Sequence, residues 1–596
     1  MSQQLLFDEK YTARKRGSSM TKTLVCLAVS LLALGYTAYS AYSTQYSSPF
    51  TTIGQSPLEK LSQIDLNALI ESKPEVCPIP PKLVPPKQDG LVDLSYFGTP
   101  EYKNHSLTVW AGAVKLYTPS FDDLGEVGVD PRWETFYDLE HYFKKTFPTL
   151  HKVAKLDHVN THGLVYTIEG SDKGLKPVLL TGHQDVVPVP AETEWRWKHP
   201  PRDAYFDGEW LWGRGASDCK NNVVAIFEAV EQLLSSGYKP KRTIVLAFGF
   251  DEESSGTQGA GKITDFLMEQ WGENGLLLIV DEGGLGIADF GGARFALPST
   301  GEKGYIDVHI KLTTPGGHSS VPPKHTSIGM MGELAVLLEK EEYPLDVSEI
   351  SPYYHTLQCQ AKYSDALEPE VRKGILHLDD PKIKKFVLEE LAKDGTNKAL
   401  LSTTRAIDVV YGGVKINALP EEVVLKVNHR VSYESSLDIV KDHILDCVSK
   451  VAESHGLGIT AFEEEIKGAT AAGNFVITSD GDLDPAPSTP VFNNPTWDVL
   501  SGTIKHVFED FAVYPEELFD PAISPKVHVA PSCMTGNTDT KHYWDLTKNI
   551  YRFSPVKQLS RENAHAIDER VQLDAHVEGV AWYYAFLQNL DAYVSE

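Results

Sequence analysis

The sequence predicts an α/β body built on a mixed, mostly parallel sheet, with a small α+β domain inserted into it and a single transmembrane helix ahead of it. Three observations predict this. Short, wholly apolar runs alternate with helical patterns between residues 177 and 280; after residue 303 the runs change to strict apolar and polar alternation; and residues 23–42 are apolar and uncharged. At 596 residues the chain exceeds what one hydrophobic core serves, so two domains with an accessory segment are expected. The composition, 42% apolar and 23% charged, is that of a globular protein rather than a polytopic membrane protein.

Residues 23–42 include Leu24, Val25, Leu27, Val29, Leu31, Leu32 and Leu34, and a helix of this length crosses a bilayer. Lys10, Arg14, Lys15, Arg16 and Lys22 precede it, which places a tail of residues 1–22 in the cytoplasm and the remaining chain in a lumen. A cleaved signal peptide is the competing reading, because the strongest run stops near Leu34 and Ala38, Ser40 and Ala41 are small. A charged leader of about 20 residues is long for a signal peptide and favours the anchor. Residues 43–90, rich in Ser, Thr and Pro, read as a semi-extended stalk. Cys26 lies in the apolar run, and Cys77, Cys219, Cys359, Cys447 and Cys533 are scattered singly, so an odd lumenal set leaves at least one free thiol. Asn104-His105-Ser106 is a glycosylation sequon that fits a secretory route.

The body is expected in three pieces: residues 91–303 and 465–596 form one domain, and 304–464 the insertion. In the first piece, 177–181, 243–250 and 276–280 read as buried parallel strands, and 221–236 as a helix ended by Gly237. In the insertion, Ile306, Val308, Ile310 and Leu312 alternate with polar residues, as do Val423, Leu425, Val427 and Val431. These strands are expected to be covered on one face only, and helices are expected between or after them at 327–341 and 436–454. The alternation also turns Arg430 to the uncovered face with Lys426 and Asn428. A net charge of −27 points away from nucleic acid, whose phosphates it would repel.

The chemistry gathers at strand ends, where open α/β sheets bind ligands. His183 follows Val178-Leu179-Leu180, with Asp185 two residues on to accept the other imidazole N–H. Asp251-Glu252-Glu253 follows Ile244 to Phe248, and Asp281-Glu282 follows Leu276 to Val280. Any one of these is an ordinary loop or surface feature. Three on one rim imply a neutralising cation, because like charges crowded together repel. Asp218, in the Gly-rich stretch Trp212 to Asp218, supplies a fourth group before a helix, although alone it reads equally as a helix cap.

These stretches resemble the co-catalytic zinc aminoacylase, carboxypeptidase and acetylornithine deacetylase family. The resemblance rests on Gly182 to Val189, Gly213 to Asp218, Asp251 to Gly256 and Gly316 to Ser320. Lys303-Gly304-Tyr305, Gly412 to Pro420 and Gly536 to Lys541 resemble its carboxypeptidase S, or Gly-X carboxypeptidase, branch. The resemblance implies a ferredoxin-like insertion that serves as lid and dimerisation domain, and two Zn2+ ions per subunit, with Co2+ or Mn2+ as other occupants. It makes Asp218 the bridging carboxylate, with His183 and Asp281 on one ion and Glu253 and His565 on the other. Glu252 becomes the general base and Asp185 the residue that orients His183. His318 matches the group that stabilises the oxyanion, sometimes in a neighbouring subunit, while Asn417 and Arg430 match residues that grip the substrate carboxylate. Cys219 departs from the pattern, standing where many relatives have Asp, as do Asn221 and Asn222, which replace small residues.

Two hydrolytic readings stay open. One is a carboxypeptidase releasing the last residue of short peptides with a free carboxylate, Gly being the expected penultimate residue, in a vacuole-like or lysosome-like lumen. The other is an N-acyl amino acid amidohydrolase on the same scaffold. A third reading, an inactive binding module, is disfavoured by the retention of Glu252 beside all five ligand candidates.

Overall fold

The computed structural model describes residues 76–595. The expected cytoplasmic tail, the apolar segment at 23–42 and most of the stalk lie outside the described residues. Among the described residues no helix is long and apolar enough to cross a membrane. The described end of the expected stalk is part of the body rather than a spacer. Cys77 is disulfide-bonded to Cys359, the Leu83 amide donates to the Gly502 carbonyl at 3.0 Å, and Lys82 pairs with Asp510 at 2.6 Å. The prolines favour an extended segment, and the Pro80 and Leu83 carbonyls accept from Lys505 at 3.0 Å and Asn589 at 3.2 Å.

The main sheet contains β1 (Lys155–Val159), β2 (Gly163–Ile168), β3 (Val178–His183), β4 (Ile244–Gly249), β5 (Leu278–Asp281) and β6 (Ser299–Glu302). The lid sheet follows with β7 (Gly304–Thr313), β8 (Thr404–Gly412), β9 (Glu422–Val431), β10 (Gly458–Ala461), β11 (Glu464–Lys467) and β12 (Asn474–Leu483). Two strands, β13 (Ser532–Met534) and β14 (Ile550–Arg552), return to the main sheet. Its order is β1-β2-β4-β3-β5-β14-β6-β13, mixed, with β4, β3, β5 and β14 mutually parallel. Both faces are covered, and the central strands β3, β4 and β5 are buried at every position. Leu180, Leu246 and Val280 face one core with helices α1 (Lys220–Ser235) and α2 (Leu573–Tyr593). Leu179, Val245 and Ile279 face Ala260, Ile263 and Leu267 of a helix on the other side.

The lid sheet has the order β8-β9-β7-β12-β10-β11. Helices Ser327–Lys340 and Leu437–His455 cover one face, burying Leu334, Leu338, Ile444 and Val448 against Ile306, Ile310, Leu425 and Val427. The lid extends past the boundary expected at residue 464. Strand β12 runs antiparallel to β7 from Thr313↔Asn474 to Tyr305↔Leu483, because Phe475 and Ile477 belong to the lid core. The return to the main domain therefore follows Leu483.

Four further helices, absent from the expected elements, lie between Ser327–Lys340 and β8: Pro352–Tyr363, Pro369–Ile375, Pro381–Leu391 and Gly395–Leu401. The first of them leans on the main domain. Its Thr356 hydroxyl donates to the Pro531 carbonyl at 2.5 Å, and its Cys359 carries the disulfide to Cys77.

Candidate metal centre

Parallel strands β3, β4 and β5 end on one rim, and the loops that leave them carry the donors. His183 is the last residue of β3 and is fully buried. Its Nδ1 lies 3.2 Å from Asp185 Oδ1 and 3.0 Å from the Asp185 carbonyl, which leaves Nε2 facing Asp218 Oδ1 at 3.1 Å. The second Asp218 oxygen lies 2.9 Å from His565 Nε2, and that nitrogen is 3.2 Å from Glu253 Oε2. Asp218 therefore stands between the two histidines with one oxygen toward each, the arrangement a bridging carboxylate needs.

Asp185 does more than orient His183. Its two oxygens also accept the backbone N–H groups of Glu252 at 3.2 Å and Glu253 at 3.1 Å, and Oδ2 accepts the Ser120 hydroxyl at 2.6 Å. One buried carboxylate thus fixes an imidazole and the turn Glu252–Ser254. Glu569 plays the matching part on the opposite wall and was missed in the sequence. It accepts the backbone N–H groups of Ser217 (2.7 Å) and Asp218 (3.1 Å) and pairs with Arg214 at 2.6 Å, tying the Asp218 loop to the segment that carries His565. The Asp218-Cys219 peptide is cis. Cys219 is buried, and its Sγ accepts the His183 N–H at 3.2 Å, so the departure from the family pattern holds the end of β3 from behind.

A cavity of about 370 Å³ opens over this cluster, lined by Asp218, Glu252, Glu282, Asn537, Arg561 and His565 among others. Larger hollows of about 650 Å³ and 550 Å³ lie between the domains and beside the 314–330 segment of the lid, and neither is lined by these donors. Burial, with Asp539, Glu253 and Asp185 adding and His183 opposing, pushes the Glu252 carboxyl well above the usual range. Burial and the nearby Asp218 push Glu282 up likewise, again against His183. Hydrogen bonds to Asp218 and then Glu253 hold His565 up at about 11. The field of the cavity thus favours positive charge, and the buried Glu253 Oε1 has no hydrogen-bond partner. Two imidazoles and a set of carboxylates around the central Asp218 fit a pair of divalent cations.

The other expected site residues are placed differently. Asp281 is buried, and its Oδ1 accepts the Glu282 N–H at 2.8 Å; Glu282, the next residue, is the one that lines the cavity. The doublet was visible in the sequence, but which member turns outward depends on the turn after β5. Arg430 lies on the face of β9 with Lys426 and Asn428, and its Nη1 donates to Asn537 Oδ1 at 2.9 Å on the cavity wall. His318 and Asn417 sit together in exposed lid loops: His318 pairs with Ala418 in a short ladder, and the Ser319 amide donates to the Asn417 carbonyl at 3.2 Å. Neither lines the cavity of its own chain. Asn104 is exposed in the second turn of helix Pro100–Lys115, while Ser106 of its sequon is buried and donates to Glu228 at 3.1 Å.

The sequence profile of peptidase family M20/M25/M40 matches residues 179–589. The chain belongs to this family. The matched span runs from β3 into the final helix and so contains every donor above. Carboxypeptidase S of Saccharomyces cerevisiae is 41% identical over 502 residues, covering 83% of this chain and 85% of that one. The N-fatty-acyl-amino acid synthase/hydrolase PM20D1 of Mus musculus is 29% identical, covering 81% and 87%. Among solved structures, an M20 family metallo-carboxypeptidase from Sulfolobus solfataricus shares the fold, with a TM-score of 0.55 at 18% identity, covering 82% of this chain and 99% of that one. This M20 chain is a metallocarboxypeptidase, a hydrolase acting on peptide bonds.

Proposed function

We propose that the protein is a dinuclear zinc carboxypeptidase that releases the C-terminal amino acid of short peptides, with Gly the preferred penultimate residue. The observation that carries this reading is Arg430. Its guanidinium reaches the wall of the cavity through Asn537, and among the described residues it forms no ion pair. A guanidinium held unpaired beside a hydrolytic centre suits a substrate carboxylate, which it can grip through two parallel N–H bonds.

His183, Asp218 and Glu282 would hold one ion and Asp218, Glu253 and His565 the other, with Glu282 taking the place expected for Asp281. Zinc suits this donor set, as do Co2+ and Mn2+. Bound there, the pair would supply Lewis-acid polarisation and lower the pKa of water at the site. Glu252, on the cavity wall with Asp218 and Glu282, would take the proton of the attacking water and pass it to the leaving amide nitrogen. Arg430 fixes the carboxylate so that the last peptide bond lies over Glu252.

His318 and Asn417 would act in the site of a second copy, because their own cavity is lined without them. The surface for that copy is the edge strand β8. It leaves Val409, Val410 and Tyr411 exposed, followed by Val414 and Ile416 on the way to Asn417.

The likeness to an N-fatty-acyl-amino acid synthase/hydrolase favours a second reading, in which the acyl side of the scissile amide is a fatty acid. Hydrolysis of blocked dipeptides, their C-terminal amides and fatty-acyl amino acids, with and without chelator, separates the readings. Free-acid dipeptides are expected to be cleaved best. Arg430→Lys should cut kcat/KM for them by about ten- to a hundredfold, the scale of ~1.4 to 3 kcal/mol for a charge-assisted contact. Equal cleavage of acids and amides would exclude an exopeptidase. The single-pass anchor, the lumenal vacuole-like or lysosome-like location and a glycan on Asn104 complete the proposal. They rest on the apolar segment, the basic residues before it and the sequon, and the Cys77–Cys359 disulfide fits an oxidising lumen.

A further inference from the structure

Arg430 is held by two neutral groups. The ring of Tyr305, its cross-strand neighbour on β7, lies with its centroid 5.4 Å from the guanidinium carbon. From the main domain, Asn537 Oδ1 accepts from Nη1 at 2.9 Å. The orientation of that amide is set by its other end, because Asn537 Nδ2 donates to the Lys303 carbonyl at 2.8 Å and the oxygen must then face Arg430. Lys303 is itself pinned at the junction of β6 and β7. Its amide donates to the Met534 carbonyl at 3.0 Å, and its Nζ donates to the carbonyls of Ala399 (2.9 Å) and Ser402 (2.8 Å).

We infer that Asn537 is a specificity-determining positioning residue: it aims the Arg430 guanidinium at the cavity through an oriented neutral amide and leaves its charge free for a substrate carboxylate. The inference rests on the reading of Arg430 as the carboxylate grip and adds the reason that the grip is pre-formed. An acidic side chain at 537 would be nearly isosteric and within the same 2.9 Å, and it would satisfy the guanidinium internally. A shorter side chain would leave the guanidinium tethered only by the Tyr305 ring, whose contact is weaker and less directional. Asn is the residue that positions without neutralising, and it lines the same cavity as Asp218, Glu252 and Glu282.

The test uses the full chain and a matched pair of substrates, a blocked dipeptide and its C-terminal amide. Arg430→Met should abolish the preference for the free acid. Asn537→Asp should lower the acid-to-amide ratio of kcat/KM by about ten- to a hundredfold, chiefly through KM for the acid, with bound metal per chain unchanged. Asn537→Ala should lower the ratio less than Asn537→Asp does, since it removes the aim but adds no competing charge. If Arg430→Met loses the preference and Asn537→Asp keeps it within about twofold, the inference is overturned while the reading of Arg430 stands. If Arg430→Met also keeps the preference, that reading falls and the inference with it. Should Asn537→Asp fail to fold, as judged by thermal unfolding, Asn537→Gln decides. It keeps both amide functions but moves them by one methylene, and a ratio unchanged from the parent would overturn the inference.

Discussion

Glu252 and Glu253 are neighbours whose backbone N–H groups are held by the same carboxylate, yet their side chains have different work. Glu253 reaches His565 at 3.2 Å, whereas Glu252 lines the cavity. Glu252→Gln keeps the shape and removes the proton carrier, so kcat should fall by at least about a hundredfold while both metal equivalents stay bound. Loss of metal from the purified variant would assign Glu252 to coordination instead. Glu282 and Asp281 are separated in the same way. Glu282→Gln should cost about one metal equivalent per chain, and Asp281→Asn should retain both, because the amide oxygen can still accept the residue-282 N–H. Elemental analysis of the two variants decides, and the reverse pattern would restore Asp281 as the ligand. That His183, Glu252 and Glu253 converge was legible because short apolar runs mark where buried strands stop, whereas Asp218 follows no such run and only the family resemblance gave it a role. The member of the 281–282 doublet that faces the cavity was not legible, since it is set by the local turn. Glu569 was hidden for another reason: its partners lie some 350 positions earlier in the chain.

Strand β9 shows how far alternation can be read. Val423, Leu425, Val427 and Val431 enter the lid core, and Lys426, Asn428 and Arg430 face away from it, as period two requires. The same rule buries His429 between them, completely, against the edge of the Tyr343 ring. A histidine at an inward position carries no apolar signal, so hydropathy alone does not mark it as core. Burial, with Arg405 adding, pushes its pKa down from 6.5 to about 3. Above pH 6.5 both folded and unfolded chains carry it neutral. As pH falls below 6.5 the unfolded chain takes up a proton that the folded chain refuses until about pH 3, so stability is lost progressively across that window. Between pH 6.5 and 4.5 the loss is about 2 to 3 kcal/mol. Denaturant unfolding at the two pH values should show a smaller acid loss in His429→Leu than in the parent; equal losses would mean that His429 charges in the folded lid. The four-helix segment was not anticipated although its start signals are ordinary, with prolines at 352, 369 and 381 and capping side chains at Ser351, Asp380 and Asp394. Its packing partner includes the distant main domain, and no local pattern records that.

His318 and Asn417 stand apart from the cavity of their own chain. The lid carries them in exposed loops beside its long edge strand, and that edge is apolar where a monomer would protect it. A two-fold pairing of these edges would cover Val410 and Tyr411 and bring each lid's loops toward the other copy, the self-complementary contact of a C2 dimer. Two expectations follow from one geometry. Val410→Glu should shift the protein to monomer in sedimentation and lower kcat/KM by about tenfold or more, because His318 then has no site to enter. The decisive experiment mixes two inactive variants, His318→Ala and Glu252→Gln, under conditions that let subunits exchange. If His318 acts across the dimer, a mixed dimer has one site with intact Glu252 and the partner's intact His318, and another lacking both. Half the dimers of an equal mixture are mixed, each with one of two sites working, so about a quarter of the parent activity should return. If His318 serves its own chain, every site in the mixture lacks one of the two groups and no activity returns, which would exclude the shared site whatever the oligomeric state.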